Sequence, residues 1–298
     1  METTPSILLI AKEGGVTSFR ALAAVKRLLG KRVGHAGTLD KFAQGLLVVL
    51  TGSMTRLNPL FMNLDKRYTA MIRFGSETDT LDPEGEVVRS APVPTFEEIE
   101  GALPQFIGAI EQAPPLYSAV HIDGRRASDR ARDGQTPVMK KRSVTVHRFD
   151  LLTYEDGLLT CDITVSKGTY IRSLARDLGR ATGSGAHLEE LVRTEIGPFL
   201  LAEAHRSIDI ESLDPSLERS EEYLLRLPAM NRMTCSHDEL SRMVHGQFPR
   251  SALALGRTGW ALAYDGDGVL QAVLDLANRK IAAWLRPYIR EEGGYETL

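Results

Sequence analysis

The chain has 298 residues, 43% hydrophobic and 25% charged, with a formal net charge of −3; this suits one large folded domain plus a small one. No apolar run approaches the roughly 20 residues of a bilayer span, and Met1-Glu2-Thr3-Thr4-Pro5 lacks the basic and apolar regions of a secretory signal. The two cysteines, Cys161 and Cys235, are far apart, which argues against a disulfide framework or a Cys-based zinc site and leads us to expect a cytoplasmic protein.

In chain order, Ile7-Leu8-Leu9-Ile10 reads as a buried strand. A helix is predicted from about Ser18 to Leu29, capped by Thr17 or Ser18, with Leu22, Val25 and Leu29 inward and Gly30 as its stop. Gly34–Leu39 is too rich in Gly and Thr for a regular element and reads as a loop, whereas Gly45–Leu50 reads as a buried strand. Arg67–Phe74 alternates like a strand, and Thr95-Phe96-Glu97-Glu98 is a capping box that opens a helix to about Phe106. Ser143–Tyr154 and Leu158–Ser166 form a strand pair around the Asp156-Gly157 turn. A helix from Thr169 to about Ala181 precedes a short strand near Glu195. Leu213–Asn231 is acidic and irregular and reads as a boundary. A short helix, Ser236–His245, then leads to strands at Ala252–Leu255, Trp260–Tyr264 and Val269–Leu274, with Asp265-Gly266-Asp267-Gly268 as a turn. Hairpins interspersed with helices imply an α+β domain on a mixed, largely antiparallel sheet flanked by helices.

An acidic balance argues against a nucleic-acid partner, because phosphate contacts come from Lys and Arg. The distribution of charge is more permissive. Basic residues gather in Lys12–Lys41 and again in Gly124–Arg148, and acidic ones between Glu203 and Glu222; a charge run by itself is a solvated face.

The string Gly34-His35-Ala36-Gly37-Thr38-Leu39-Asp40-Lys41-Phe42-Ala43-Gln44-Gly45-Leu46-Leu47 exposes Asp40 ahead of a buried strand. From the residues alone, Asp40 is either a turn residue or N-cap, where Asp is favoured, or a carboxylate presented for chemistry. The string resembles the catalytic loop of the bacterial tRNA pseudouridine-55 synthase (TruB-type) family. The resemblance extends to Ile7–Ser18, Lys66-Arg67-Tyr68, Thr78-Asp79-Thr80-Leu81-Asp82 and Pro114-Pro115-Leu116-Tyr117-Ser118-Ala119. It continues through Ser166-Lys167-Gly168-Thr169-Tyr170-Ile171-Arg172-Ser173, Gly185-Ala186-His187 and Leu191-Val192-Arg193, all in the family's order. Departures are Lys41 in place of Pro, Gln44 in place of Thr and Lys12-Glu13 in place of Lys-Pro; none removes a catalytic group.

This resemblance implies a pseudouridine-synthase core over residues 1–232, with an RNA-gripping insertion at about 113–148. A small β-barrel-like module of the PUA type would follow over residues 233–298. The implied activity is isomerisation of uridine 55 in the T-loop of tRNA, by a monomer that needs neither cofactor nor metal. Asp40 would be the nucleophile, kept charged because Arg172 lowers its pKa. Asp82 would hold the far side of the guanidinium, and Tyr68 would stack on the flipped base. His35 would fill the space the nucleotide vacates, while Tyr170 and Leu191 would line the pocket. Arg125, Arg126, Lys140 and Lys141 would grip the T-arm. Whether Asp40 attacks C1′ or C6, or acts as a base through a glycal, stays open at this level. The rival reading is a non-catalytic RNA-binding or RNA-folding protein of the same shape. Asp40, Tyr68 and Arg172 together favour the enzyme, because a pure binder has no need of a carboxylate facing phosphates.

Overall fold

The computed structural model describes residues 4–118, 120–122, 124–135, 137–206, 214–256 and 258–286. Its first half runs β1 (Ser6–Lys12), α1 (Ser18–Ala21), α2 (Ala23–Leu29), β2 (Val33–His35), β3 (Gln44–Thr51), α3 (Asn58–Met62), β4 (Lys66–Phe74), β5 (Ser76–Thr78), β6 (Val87–Ser90), α4 (Phe96–Ala102) and β7 (Gly108–Gln112). It continues with β8 (His121–Ile122), β9 (Arg125–Arg126), α5 (Ala127–Arg132), β10 (Arg142–Glu155), β11 (Leu158–Val165), α6 (Ile171–Ala181), β12 (Ala186–Ile196), β13 (Phe199–Leu200) and β14 (His205–Arg206). The last elements are α7 (Leu217–Leu225), β15 (Met230–Thr234), α8 (His237–Val244), β16 (Trp260–Tyr264), β17 (Leu270–Asp275) and β18 (Lys280–Trp284).

One large sheet has the order β14-β1-β3-β12-β4-β11-β10-β7. Its pairs are antiparallel except β1 with β14 and β3 with β12. The continuous apolar runs of β1 and β3 follow from cover on both faces. Leu8, Ile10, Leu47 and Val49 enter one hydrophobic cluster, and Ile7, Leu9, Leu46, Val48 and Leu50 enter the other. β4 alternates buried and partly buried residues along its length, as its sequence period predicts. β3 and β12 approach so closely that a Cβ on Gly45, whose φ is +113°, would collide with the backbone of Arg193.

Several elements differ from expectation, each for a physical reason. The helix expected over 18–29 breaks at Leu22, whose N–H bonds back three residues to Phe19. Gly34 and His35 of the expected loop, together with Val33 before it, pair with β3. The helix after the capping box tightens to a 3-10 turn at Leu103–Phe106, where Pro104 follows. The short strand expected near Glu195 is an eleven-residue central strand, β12, whose charged residues hid it and whose pairing on both sides secures it. In the segment expected to be irregular, α7 buries Ser220, Tyr223 and Leu224 at helical spacing; Leu213 lies outside the described residues. Ala252–Leu255 forms a 3-10 turn within Ser251–Leu255, not a strand.

The C-terminal unit is an open four-stranded sheet, β15-β16-β17-β18, with no closure into a barrel among the described residues. It begins at Met230 and docks on the large sheet through a shared cluster. In that cluster Met54, Leu57 and Phe61 meet Leu262, Val273, Ala283 and Leu285. Burying such side chains contributes about 1.5–3 kcal/mol each, so the small sheet and the large one stabilise each other.

Candidate active site

Asp40 sits on the loop between β2 and β3, and the chain around it is tied down on both sides. Ser18 Oγ donates to Leu39 O at 3.0 Å and accepts from Leu39 N at 2.9 Å. Gly15 N donates to Lys41 O at 2.9 Å. Beneath the loop, the buried Lys12 donates through Nζ to four carbonyls, those of Glu13, Val16, Lys41 and Ala43, at 2.5–3.2 Å. Burial pulls its ammonium down to about 8, against the attraction of Asp40. Arg193, also buried, donates to Leu46 O and Gly37 O at 2.8 and 3.0 Å. Buried cations satisfied by backbone oxygens thus fix the loop that carries Asp40.

The first turn of α6 brings Arg172 to this loop. Its Nη2 donates to Asp40 Oδ1 at 2.9 Å, and its Nε lies 2.8 Å from Asp40 Oδ2, a side-on pairing across 132 residues. Nη1 and Nη2 also donate to Thr80 O and Tyr117 O at 2.8 and 3.0 Å. On the far side, Asp82 Oδ2 stands 3.5 Å from Nη1. Asp82 is itself held: its Oδ1 accepts from Thr80 Oγ1 at 2.6 Å and from Glu84 N at 3.1 Å. Leu81, between them, adopts φ +62°, a left-handed conformation that costs a non-glycine residue about 1–3 kcal/mol and clusters at functional sites. Arg172 is 4% exposed, whereas Asp40 keeps 37% of its side-chain surface. The carboxylate is therefore the open end of a closed network.

Enclosure is the largest influence on Asp40 and raises its carboxyl above the usual carboxylate range; Arg172 and Lys12 oppose the rise, and Asp82 adds to it. Arg172 lowers that pKa as expected, but it does not set the net direction. The arginine works against a larger desolvation, and its effect is to aim the carboxylate.

Tyr68 and Leu191, on neighbouring strands β4 and β12, are buried in the same cluster as Leu39 and Ala43. Tyr170 immediately precedes α6, and the amide of Gln112 clasps its backbone, donating to Tyr170 O at 3.1 Å and accepting from Tyr170 N at 2.8 Å. His35, half-buried at the end of β2, has its imidazole pKa lowered by burial first and then by Arg193. Arg125, Arg126, Lys140 and Lys141 are exposed, and Arg125 pairs with Asp133 at 2.7 Å. The structure thus brings Asp40, Arg172 and Asp82 into direct contact and leaves the four basic residues on the surface. Sequence reasoning missed Lys12, Ser18, Gln112 and Arg193. A charged residue ending or interrupting an apolar strand was the available signal for Lys12 and Arg193. The departure at Lys41 also acquires a partner, Glu84 Oε1 at 2.6 Å, joining the Asp40 loop to the Asp82 loop.

Residues 26–171 match the TruB family pseudouridylate synthase N-terminal domain, and residues 172–230 match the tRNA pseudouridylate synthase B C-terminal domain. The chain belongs to the TruB family. Among relatives named tRNA pseudouridine synthase B, that of Treponema pallidum (strain Nichols) is 47% identical over 224 residues, covering 67% of this chain and 61% of that protein. The one from Borreliella burgdorferi (strain ZS7) is 49% identical over 201 residues, covering 66% of this chain and 71% of that protein. The chain thus spans about three-fifths of the length of the Treponema protein. The solved Cbf5-Nop10-Gar1 complex contains a chain that superposes with a TM-score of 0.63 at 22% identity, covering 94% of this chain and 82% of that one. That likeness confirms the pseudouridine-synthase fold of this TruB-family chain. Among the described residues, no helix is long and apolar enough to cross a membrane, and no group of three His, Cys, Asp or Glu side chains could hold a metal.

Proposed function

We propose that this chain isomerises uridine 55 in the T-loop of tRNA to pseudouridine, with Asp40 as the reacting carboxylate. The observation that carries the reading is the Asp40–Arg172–Asp82 network. It leaves one carboxylate partly open and aimed while every other charge in it is enclosed. The reaction breaks the N1–C1′ bond, turns the base and joins C1′ to C5; C5 loses a proton and N1 gains one. There is no net redox change and no group donor, so a carboxylate that can bond to the nucleotide and then leave suffices. The target base must first leave its stack, at a cost of a few kcal/mol. Tyr68 stacks on it and Tyr170 and Leu191 enclose it, while His35 fills the vacated space in neutral form. Arg125, Arg126, Lys140 and Lys141 supply phosphate contacts on the T-arm. The C-terminal sheet is an accessory RNA-binding unit of the PUA type, and the enzyme acts as a cytoplasmic monomer.

The test is Asp40→Asn, which keeps size and hydrogen-bonding reach and removes the charge. Release of tritium from C5-labelled uridine should vanish, while tRNA binding stays within about tenfold of wild type, ~1.4 kcal/mol. Tritium release by the variant at the wild-type rate would refute the role of Asp40. Binding of tRNA by the wild-type protein without any release would replace this reading with the RNA-binding one.

A further inference from the structure

Two arginines flank the Gly168-Thr169-Tyr170 turn, and their environments differ. Arg172 finds an acceptor on every side, in Asp40, Thr80 O, Tyr117 O and Asp82. Arg142 has two nitrogens, Nε and Nη2, closed to solvent and without a hydrogen-bond partner; Arg172 Nε also lacks a hydrogen bond but stands 2.8 Å from the Asp40 carboxylate. Its Cζ lies 4.5 Å from the centroid of the Tyr170 ring, and the guanidinium rests on that aromatic face. A buried donor left unpaired is costly, more so when charged, and a cation–π contact offsets only part of that cost. Buried polar groups in folded proteins are nearly always paired, and these two donors leave room for an acceptor from outside the chain.

We propose that Arg142 is a substrate-positioning residue that binds a phosphate of the RNA strand beside the flipped nucleotide. Its position is fixed from both sides. Arg142 begins β10 opposite Gln112 of β7, and Gln112 is the residue that clasps the Tyr170 backbone one step before Ile171-Arg172. The exposed Lys140 and Lys141 lead directly into it, so the surface approaching the guanidinium is cationic and suits a polyanion. A guanidinium fork matches two phosphate oxygens, and an aromatic face beneath it holds its plane. When a phosphate draws Arg142 off the Tyr170 ring, that ring is released toward the nucleotide, so grip and pocket shape are coupled. The proposal rests on the reading of the chain as an RNA isomerase.

The experiment uses the whole 298-residue chain and a T-arm stem-loop in which single phosphates around the target are replaced, one at a time, by uncharged methylphosphonates. Binding and turnover are both measured, so the phosphate comparison stands on binding alone. Turnover of the unmodified stem-loop by wild type tests the underlying reading separately. Arg142→Ala should raise KM about tenfold with kcat within about threefold, and lower the slope of log affinity against log salt by about 0.7–0.9. One methylphosphonate should weaken wild type about tenfold and Arg142→Ala not at all. Arg142→Lys should recover the salt slope and only part of the affinity, because an ammonium lacks the fork. The thermal midpoint of Arg142→Ala should be unchanged or higher, since unpaired buried donors are removed. Equal methylphosphonate effects in both proteins at every position would overturn the proposal. A lowered midpoint with a collapsed kcat would do so too, leaving Arg142 as a structural prop for Tyr170.

Discussion

The Asp40 site and the basic segment at 124–148 use the same kinds of residue to opposite ends. In the site, Arg172 is 4% exposed and its charge is spent on fixed acceptors. In the basic segment, Arg125 and Asp133 form a pair whose side chains are 55% and 53% exposed, a geometry worth about 0–1 kcal/mol. Where charge is enclosed, each group depends on its neighbours, and losing one strands the rest. Where charge is exposed, the groups act as a sum that salt screens.

The sharpest test of this contrast is Arg172→Met, which leaves Asp40 and Asp82 enclosed without their cation. Unfolding free energy should fall by about 3–5 kcal/mol and turnover should be lost, as read by chemical denaturation and tritium release. A variant as stable as wild type would place Arg172 on the surface side of the comparison.

Asp40→Asn should have a smaller effect on stability. The folded-state pKa of Asp40 is raised, so its ionised form is penalised, and its contribution to stability is present below the unfolded value and lost as pH rises through the folded one. At neutral pH the variant loses the penalty on an enclosed carboxylate but leaves Arg172 with Asp82 alone, so its stability should fall by less than that of Arg172→Met; the wild type should gain on it as pH falls. On the proposed role of Asp40 turnover requires the carboxylate, so its acid limb should lie above the ordinary carboxylate value of 3.8. A stability loss at neutral pH as large as that of Arg172→Met, or an acid limb below that value, would break the assignment.

Neutralising Arg125, Arg126, Lys140 and Lys141 together should leave stability within about 0.5 kcal/mol and weaken tRNA binding at every sequence. The salt slope should fall by about 0.7–0.9 for each phosphate that these side chains neutralise in the wild type. Unchanged affinity and slope would make these charges a solvated face only. The smallest effect belongs to Lys41 and Glu84, whose side chains are 52% and 46% exposed. A double-mutant cycle should give about 0.2–1 kcal/mol, shrinking as salt rises. A larger, salt-independent coupling would mean that the link between the two loops belongs to the enclosed network.

The sequence by itself picked out the candidate site residues and most elements with a clear period. Alternation in β4, the capping box of α4 and the Asp156-Gly157 hairpin are local signals, written within a few residues of each other. Asp40, Arg172 and Asp82 were legible as a set through resemblance, since the residues themselves permit a turn or a surface helix. Only tertiary structure decided that β12 is a central strand, because its Glu and Arg residues obey pairing on both sides and not an apolar pattern. It also decided that α7 belongs to the core through Tyr223 and Leu224 and that the C-terminal sheet shares a cluster with the large one. The same holds for Lys12 and Arg193 beneath the loop and for the upward shift of Asp40. Each depends on groups brought together from distant parts of the chain, as Arg172 meets Asp40 across 132 residues. Burial and the supply of acceptors are properties of that assembled surrounding, and they set how a charge behaves.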